Sequence, residues 1–157
     1  MQLLKTILLG TVLAAAGLAS AANAPDLAIG TWKLNVEKSK MAAGHEVKSM
    51  TRVYSEGPDG VTLQVSGVAA DGAPIAQQTT FRYDGKSYPL TGSSDIDALT
   101  LKRVNGTTVK STQWKGGKRV GSSVRTVSGH GKVMTIDSET KGADGKRYTT
   151  VSVFDKQ

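Results

Sequence analysis

The chain has 157 residues, 20 Lys plus Arg against 13 Asp plus Glu for a formal charge of +7, 18 glycines, two Trp, four Tyr, two Phe and no cysteine. That length suits a single domain. The missing cysteine excludes a disulfide framework, a thiolate-ligated zinc or iron-sulfur centre, a cysteine nucleophile and a lipid-modified N-terminal cysteine.

Met1 to Ala24 reads as a secretory signal. A single charge at Lys5 precedes an apolar run from Thr6 to Leu18, and small residues follow in Ala19-Ser20-Ala21 and Ala22-Asn23-Ala24. The apolar run is too short to span ~30 Å of hydrocarbon comfortably, so a retained membrane anchor is not expected. Cleavage after Ala21 is favoured, because cleavage after Ala24 would place Pro25 directly behind the scissile bond. The mature chain would then have 157 − 21 = 136 residues. The expectation is an exported protein, periplasmic or extracellular, whose single domain spans residues 25–157.

Beyond that segment, short stretches of period two alternate with glycine turns, and no long helical periodicity occurs. Asp59-Gly60, Asp71-Gly72, Asp84-Gly85, Asn105-Gly106, Gly116-Gly117, Gly129-His130-Gly131 and Asp144-Gly145 supply residues that tolerate positive φ, as tight hairpins require. Strands are predicted over Ala28–Asn35, Lys48–Ser55, Gly60–Ala69, Ile75–Tyr83, Ala98–Val104, Thr107–Lys115, Lys118–Ser128, Lys132–Thr140 and Arg147–Phe154, with a short tenth over Ser87–Leu90. Only Val36–Gly44 could hold a helix, of two turns at most.

Alternation places Val61, Leu63 and Val65 on one face, with Phe81 and Tyr83, and Leu99 and Leu101, on the corresponding faces of their strands. By the same reading Val120 and Val124 turn inward against Arg119 and Arg125, and Val151 and Val153 against Ser152, although Phe154 makes the last strand ambiguous. An all-β antiparallel meander of nine or ten half-buried strands resolves its edges best by closing into an up-and-down barrel with its apolar face inside. An open sandwich is the alternative. An outer-membrane barrel would need aromatic girdles at both interfaces, for which these aromatics are too few.

Gly30-Thr31-Trp32-Lys33-Leu34 resembles the Gly-x-Trp element that opens the calycin group of lipocalins, fatty-acid-binding-type barrels and avidins. The resemblance implies that Gly30 lets the strand bend while the Trp32 indole closes one barrel end beneath an arginine from another strand. Together with Asn35, Lys38-Ser39, Tyr83-Asp84-Gly85-Lys86 and Tyr88-Pro89, the element looks like a group of small exported bacterial lipocalin-like proteins. The binding residues of the better-known relatives do not carry over. The lipocalin helix before the last strand and its Thr-Asp-Tyr motif are missing, Val36 to Val47 is too short for a two-helix lid, and two tryptophans cannot build an avidin site.

Little in the chain suggests catalysis. His45 and His130 stand far apart, and without cysteine a metal or haem site would have to recruit carboxylates. No Gly-x-Ser-x-Gly elbow and no phosphate loop leading into a helix is present. Asp95-x-Asp97 and Asp137-x-Glu139 put carboxylates side by side near turns, unlike a glycosidase pair facing across a cleft. The cations occur singly or in twos, as at Lys102-Arg103 and Lys118-Arg119, so nucleic acid is not an expected partner.

Arginines on apolar faces are the sharpest feature: Arg52 beside Met50 and Tyr54, Arg103 beside Leu99 and Leu101, and Arg147 beside Val151 and Val153. A guanidinium inside a barrel needs an anion or several acceptors. A ligand carboxylate could serve, with Tyr54, Tyr83 and Gln113 adding polar contacts. The expected function is therefore enclosure of a small hydrophobic or amphipathic molecule, without cofactor, metal or catalysis. The alternatives are a packed barrel acting through loops such as Lys40–Lys48 and Thr91–Asp97, and a small enzyme at the barrel mouth. The small-sided inward set Val61, Val65, Gly67, Ala69, Val109, Val120 and Val124 favours a cavity.

Overall fold

The computed structural model describes residues 25–142 and 144–157; the expected export segment, Met1 to Ala24, lies outside them. Ten strands follow one another: β1 (Gly30–Leu34), β2 (Val47–Gly57), β3 (Gly60–Ala69), β4 (Pro74–Phe81), β5 (Asp84–Pro89), β6 (Ala98–Arg103), β7 (Thr108–Lys115), β8 (Lys118–Ser128), β9 (Val133–Lys141) and β10 (Arg147–Lys156). They form a single antiparallel sheet in the order β4-β3-β2-β1-β10-β9-β8-β7-β6-β5. Sequence neighbours pair throughout, and the meander bends round until β1 meets β10, with Trp32 opposite Lys156 and Leu34 opposite Phe154. The result is a nearly closed barrel rather than a sandwich. Its seam is between β4 and β5, bridged among the described residues by Gln78 of β4 and Thr91, two residues beyond the end of β5.

The turns follow from local chemistry. Gly116 and Gly117, at φ +55° and +73°, make the two-residue β7-β8 hairpin, a conformation that a side chain would strain. The predicted helix at Val36–Gly44 does not form. That stretch instead runs beside β10, where Asn35 and Lys40 donate backbone hydrogen bonds to Val153 and Val151, and the Ser39 hydroxyl accepts from the Val153 amide. Backbone groups satisfied by a neighbouring strand have no need of a helix. A single 3₁₀ turn, Gly129–Gly131, joins β8 to β9, with His130 at φ +55°.

One end of the barrel is closed by Trp32, Phe81, Met134 and Phe154, all essentially fully buried, together with Ala28, Val61 and Val127. The Trp32 Nε1 donates to the Ala28 carbonyl at 2.7 Å. The group over the indole is Lys156, its Nζ 5.1 Å from the ring centroid, in place of the arginine that the family resemblance implied. Gly30, at φ +126°, leaves the space that Lys156 Cε occupies; a Cβ there would lie 2.9 Å from it.

Two strands face the opposite way from the alternation read in the sequence. On β8 the inward residues are Ser123, Arg125 and Val127, and Val124 lies outside; Val127 is 3% and Arg125 7% exposed. A bulge opposite Gln113 and Trp114, which skips Val120, shifts the phase. On β10 Phe154, at 1% exposed, decides the inward set, so Val151, Val153 and Arg147 face out. The larger apolar side chain takes the core, and Arg147 ion-pairs on the surface with Glu139.

Candidate functional site

Inside the barrel, between the plugged end and the open end, is a cavity of about 110 Å³. Leu63, Phe81, Leu99, Leu101, Val109 and Ile136 supply its apolar surface. Arg52, Tyr54, Gln113 and Arg125 supply polar groups, and Ser111, Ser123 and Ser138 a run of hydroxyls. Each of these belongs to the inward set of its strand, so strand periodicity alone brings together residues from β2, β3, β4, β6, β7, β8 and β9.

Arg125 is the centre of the arrangement. Its Nη2 donates to the Tyr83 hydroxyl at 2.9 Å and lies 3.7 Å from Asp26 Oδ1. Asp26, 8% exposed, comes from the segment ahead of β1 and is anchored by the Ala28 amide, which donates to Oδ1 at 3.0 Å. The Tyr83 hydroxyl donates to Asp26 Oδ2, and Arg103 approaches the same oxygen at 3.5 Å. The Arg103 guanidinium also lies over the Tyr83 ring, 4.4 Å from its centroid. Asp26 thus neutralises a buried group that would otherwise be prohibitive to desolvate.

On the cavity side the accounting differs. Arg52 Nε donates to the Tyr54 hydroxyl at 3.1 Å, and the Arg125 guanidinium lies 5.0 Å from the Tyr54 ring centroid. Arg52 forms no ion pair among the described residues. The buried Arg125 Nε has no hydrogen-bond partner among them either. On the cavity side, therefore, one guanidinium without an ion pair and one guanidinium N–H without an acceptor remain among the described residues.

The titration behaviour follows the charges. Burial pushes the Tyr54 phenol up, but the Arg52 and Arg125 guanidiniums more than offset this and leave its pKa below the ordinary value. Burial raises Tyr83 strongly, with the Asp26 hydrogen bond and charge adding to it against Arg125. Burial opposes the charge on Arg125, but Tyr54, Tyr83 and Asp26 outweigh it and hold the guanidinium protonated.

The residues expected to bind ligand thus divide into three groups. Arg52, Tyr54 and Gln113 line the cavity, and Gln113 Oε1 lies over Gly121, where a Cβ would approach it to 2.3 Å. Tyr83 and Arg103 sit behind the cavity, around Asp26. Arg147 is outside, its side chain 73% exposed. Arg125 and Asp26 were missed. The available signal for Arg125 was its phase with Val127 rather than Val124; Asp26, ahead of the first strand, has no periodic pattern to mark it. Among the described residues no cluster of three or more His, Asp or Glu side chains could hold a metal ion.

No protein-family model matches the chain, and no curated protein matches it. Among solved structures, the chain is similar to zebrafish ileal bile acid-binding protein crystallised with cholic acid. The TM-score is 0.54 at 12% identity, over 83% of this chain and 99% of that one. At that identity the likeness is one of fold: an antiparallel, nearly closed β-barrel.

Proposed function

We propose that the chain is an exported binding protein that encloses a small amphipathic anion, without covalent chemistry, and holds its acidic group between Arg52, Tyr54 and Arg125. The observation that carries this reading is the buried Arg125 Nε, without a hydrogen-bond partner among the described residues, beside the Arg52 guanidinium, without an ion pair among them, and an apolar cavity. Charge-assisted bonds from two guanidiniums are the strong kind, and a carboxylate or sulfonate supplies the acceptors that the barrel lacks. The similar barrel crystallised with cholic acid, an amphipathic acid, supports the same class of ligand.

Native mass spectrometry of the protein purified gently from its own cells, followed by solvent extraction, tests the reading. A stoichiometric organic acid, lost in an Arg52→Gln variant that still folds, is the expected result. A chain that stays bare after incubation with envelope lipid extract overturns it in favour of a packed interaction module. Fractionation with N-terminal sequencing tests export, with a mature start at Ala22 expected.

A further inference from the structure

Three serines form one rung across the inner wall. Ser111 pairs with Ser123 and Ser123 with Ser138 in the strand register, and the two hydroxyls Ser111 Oγ and Ser123 Oγ lie 2.7 Å apart. The Ser138 hydroxyl has no hydrogen-bond partner among the described residues. This rung is one inward-facing step, about 7 Å along the strands, toward the open end from the row Val109, Arg125 and Ile136. In the circular strand order Leu63 of β3 and Phe81 of β4 stand across from β8 and β9. The cavity therefore has a cationic floor, one apolar wall and one hydroxyl wall.

Building on the anion-binding reading above, we propose that the ligand is a compact hydroxylated carboxylate, no larger than a single ring with its acid group and hydroxyl at opposite ends. Size sets the first limit. An enclosed cavity of about 150 Å³ accommodates one benzene, so a cavity of about 110 Å³ encloses at most part of a single ring, and the rest of even a one-ring ligand lies in the open end. Chemistry sets the second. An alkyl chain laid along this wall would cover Ser138 and its neighbours without bonding them, and a buried hydroxyl left unpaired is costly. A ligand hydroxyl satisfies them, and a site built around such a bond rejects the analogue that lacks it.

Isothermal titration of the purified, delipidated protein with benzoate, 4-hydroxybenzoate, octanoate, dodecanoate and cholate tests this. The expected order puts 4-hydroxybenzoate first, about tenfold tighter than benzoate. In Ser138→Ala the preference shrinks toward unity while benzoate affinity is retained; Ser123→Ala is read the same way if the first variant does not fold. Equal affinity for the two ring acids, or tighter binding of dodecanoate or cholate, overturns the proposal and leaves the anion-binding reading standing. Failure of all five to bind overturns both.

Discussion

Asp26 Oδ1 lies 3.7 Å from Arg125 Nη2, tying the segment ahead of the first strand to the inner face of the eighth. The pair is buried on both sides, at 6% and 9% side-chain exposure, so neither charge has water to fall back on. Asp26→Asn keeps the shape and removes the charge. It is expected to destabilise the barrel by about 3 kcal/mol, because breaking a buried pair leaves the partner uncompensated. Urea denaturation of the two proteins measures the difference, and a loss below about 1 kcal/mol would show that Arg103 and Arg125 are solvated in place.

The tyrosines should titrate in a definite order. Tyr54 is expected to lose its proton first and Tyr83 last, as followed by ultraviolet titration of Tyr54→Phe and Tyr83→Phe variants. Tyr83 is raised in the folded state, so its contribution to stability is full below the ordinary phenol value of 10.0 and is lost as the pH climbs through the folded value. Tyr54 is depressed and works in the opposite sense, adding stability above its folded value. The alkaline loss of stability should therefore be reduced in Tyr83→Phe and steepened in Tyr54→Phe. The reverse pattern would mean that the arginines are turned away from Tyr54.

At the β4-β5 seam, a Cβ on Gly92 would lie 1.8 Å from the Ala76 carbonyl oxygen, with φ at +80°. Gly85 has a similar φ of +79° but open space around it. Gly85→Ala should cost only the backbone strain, about 1 kcal/mol. Gly92→Ala should cost clearly more and speed amide exchange at Gln78 and Thr91, whose mutual hydrogen bonds at 3.2 and 3.0 Å hold the seam. Exchange confined to baseline rates in that variant would show that the loop moves away without loosening the seam.

Arg147 offers a contrasting control. Its pair with Glu139 is on the surface and largely solvated, where such contacts contribute about 0–1 kcal/mol. Arg147→Ala is expected to leave both ligand affinity and denaturation midpoint nearly unchanged. A large loss of affinity would place a ligand contact on the outer wall.

The meander was legible in the sequence because most hairpins have their own local marker: Asp59-Gly60, Asp71-Gly72 and Gly116-Gly117 are turns that need no tertiary information. Asp84-Gly85, expected as another such turn, instead lies within β5 at an irregularity opposite Lys102 and turns no hairpin, because β4 and β5 are the two edges of the sheet. The strands Gly60–Ala69 and Lys118–Ser128 have the expected bounds, and the others differ by up to three residues at an end. Direction within strands was harder. In β10 two valines on one face outnumber a single phenylalanine on the other, and only packing shows that Phe154 takes the core. In β8 the β-bulge that skips Val120 shifts the phase of the strand, and the burial of Arg125 depends on a carboxylate far away in the chain. Arg52, Tyr54 and Gln113 could be placed in the interior because their alternation runs undisturbed; the centre of the site could not, since a buried charge is explained by its partner and not by its neighbours in sequence.

Among the described residues eight of the nine ladders join consecutive strands; the ninth, β1 against β10, joins the first strand to the last through three registered pairs. Hairpins close within microseconds, whereas bringing distant segments together must first meet the entropy of a long loop. Docking of the first strand on the last is therefore expected late in folding, and it is the same event that carries Asp26 to Arg125. Interactions that form after the rate-limiting barrier act on the reverse rate. An occupant seated at Arg125 would show itself as a slower unfolding limb of the chevron, with the refolding limb almost unmoved.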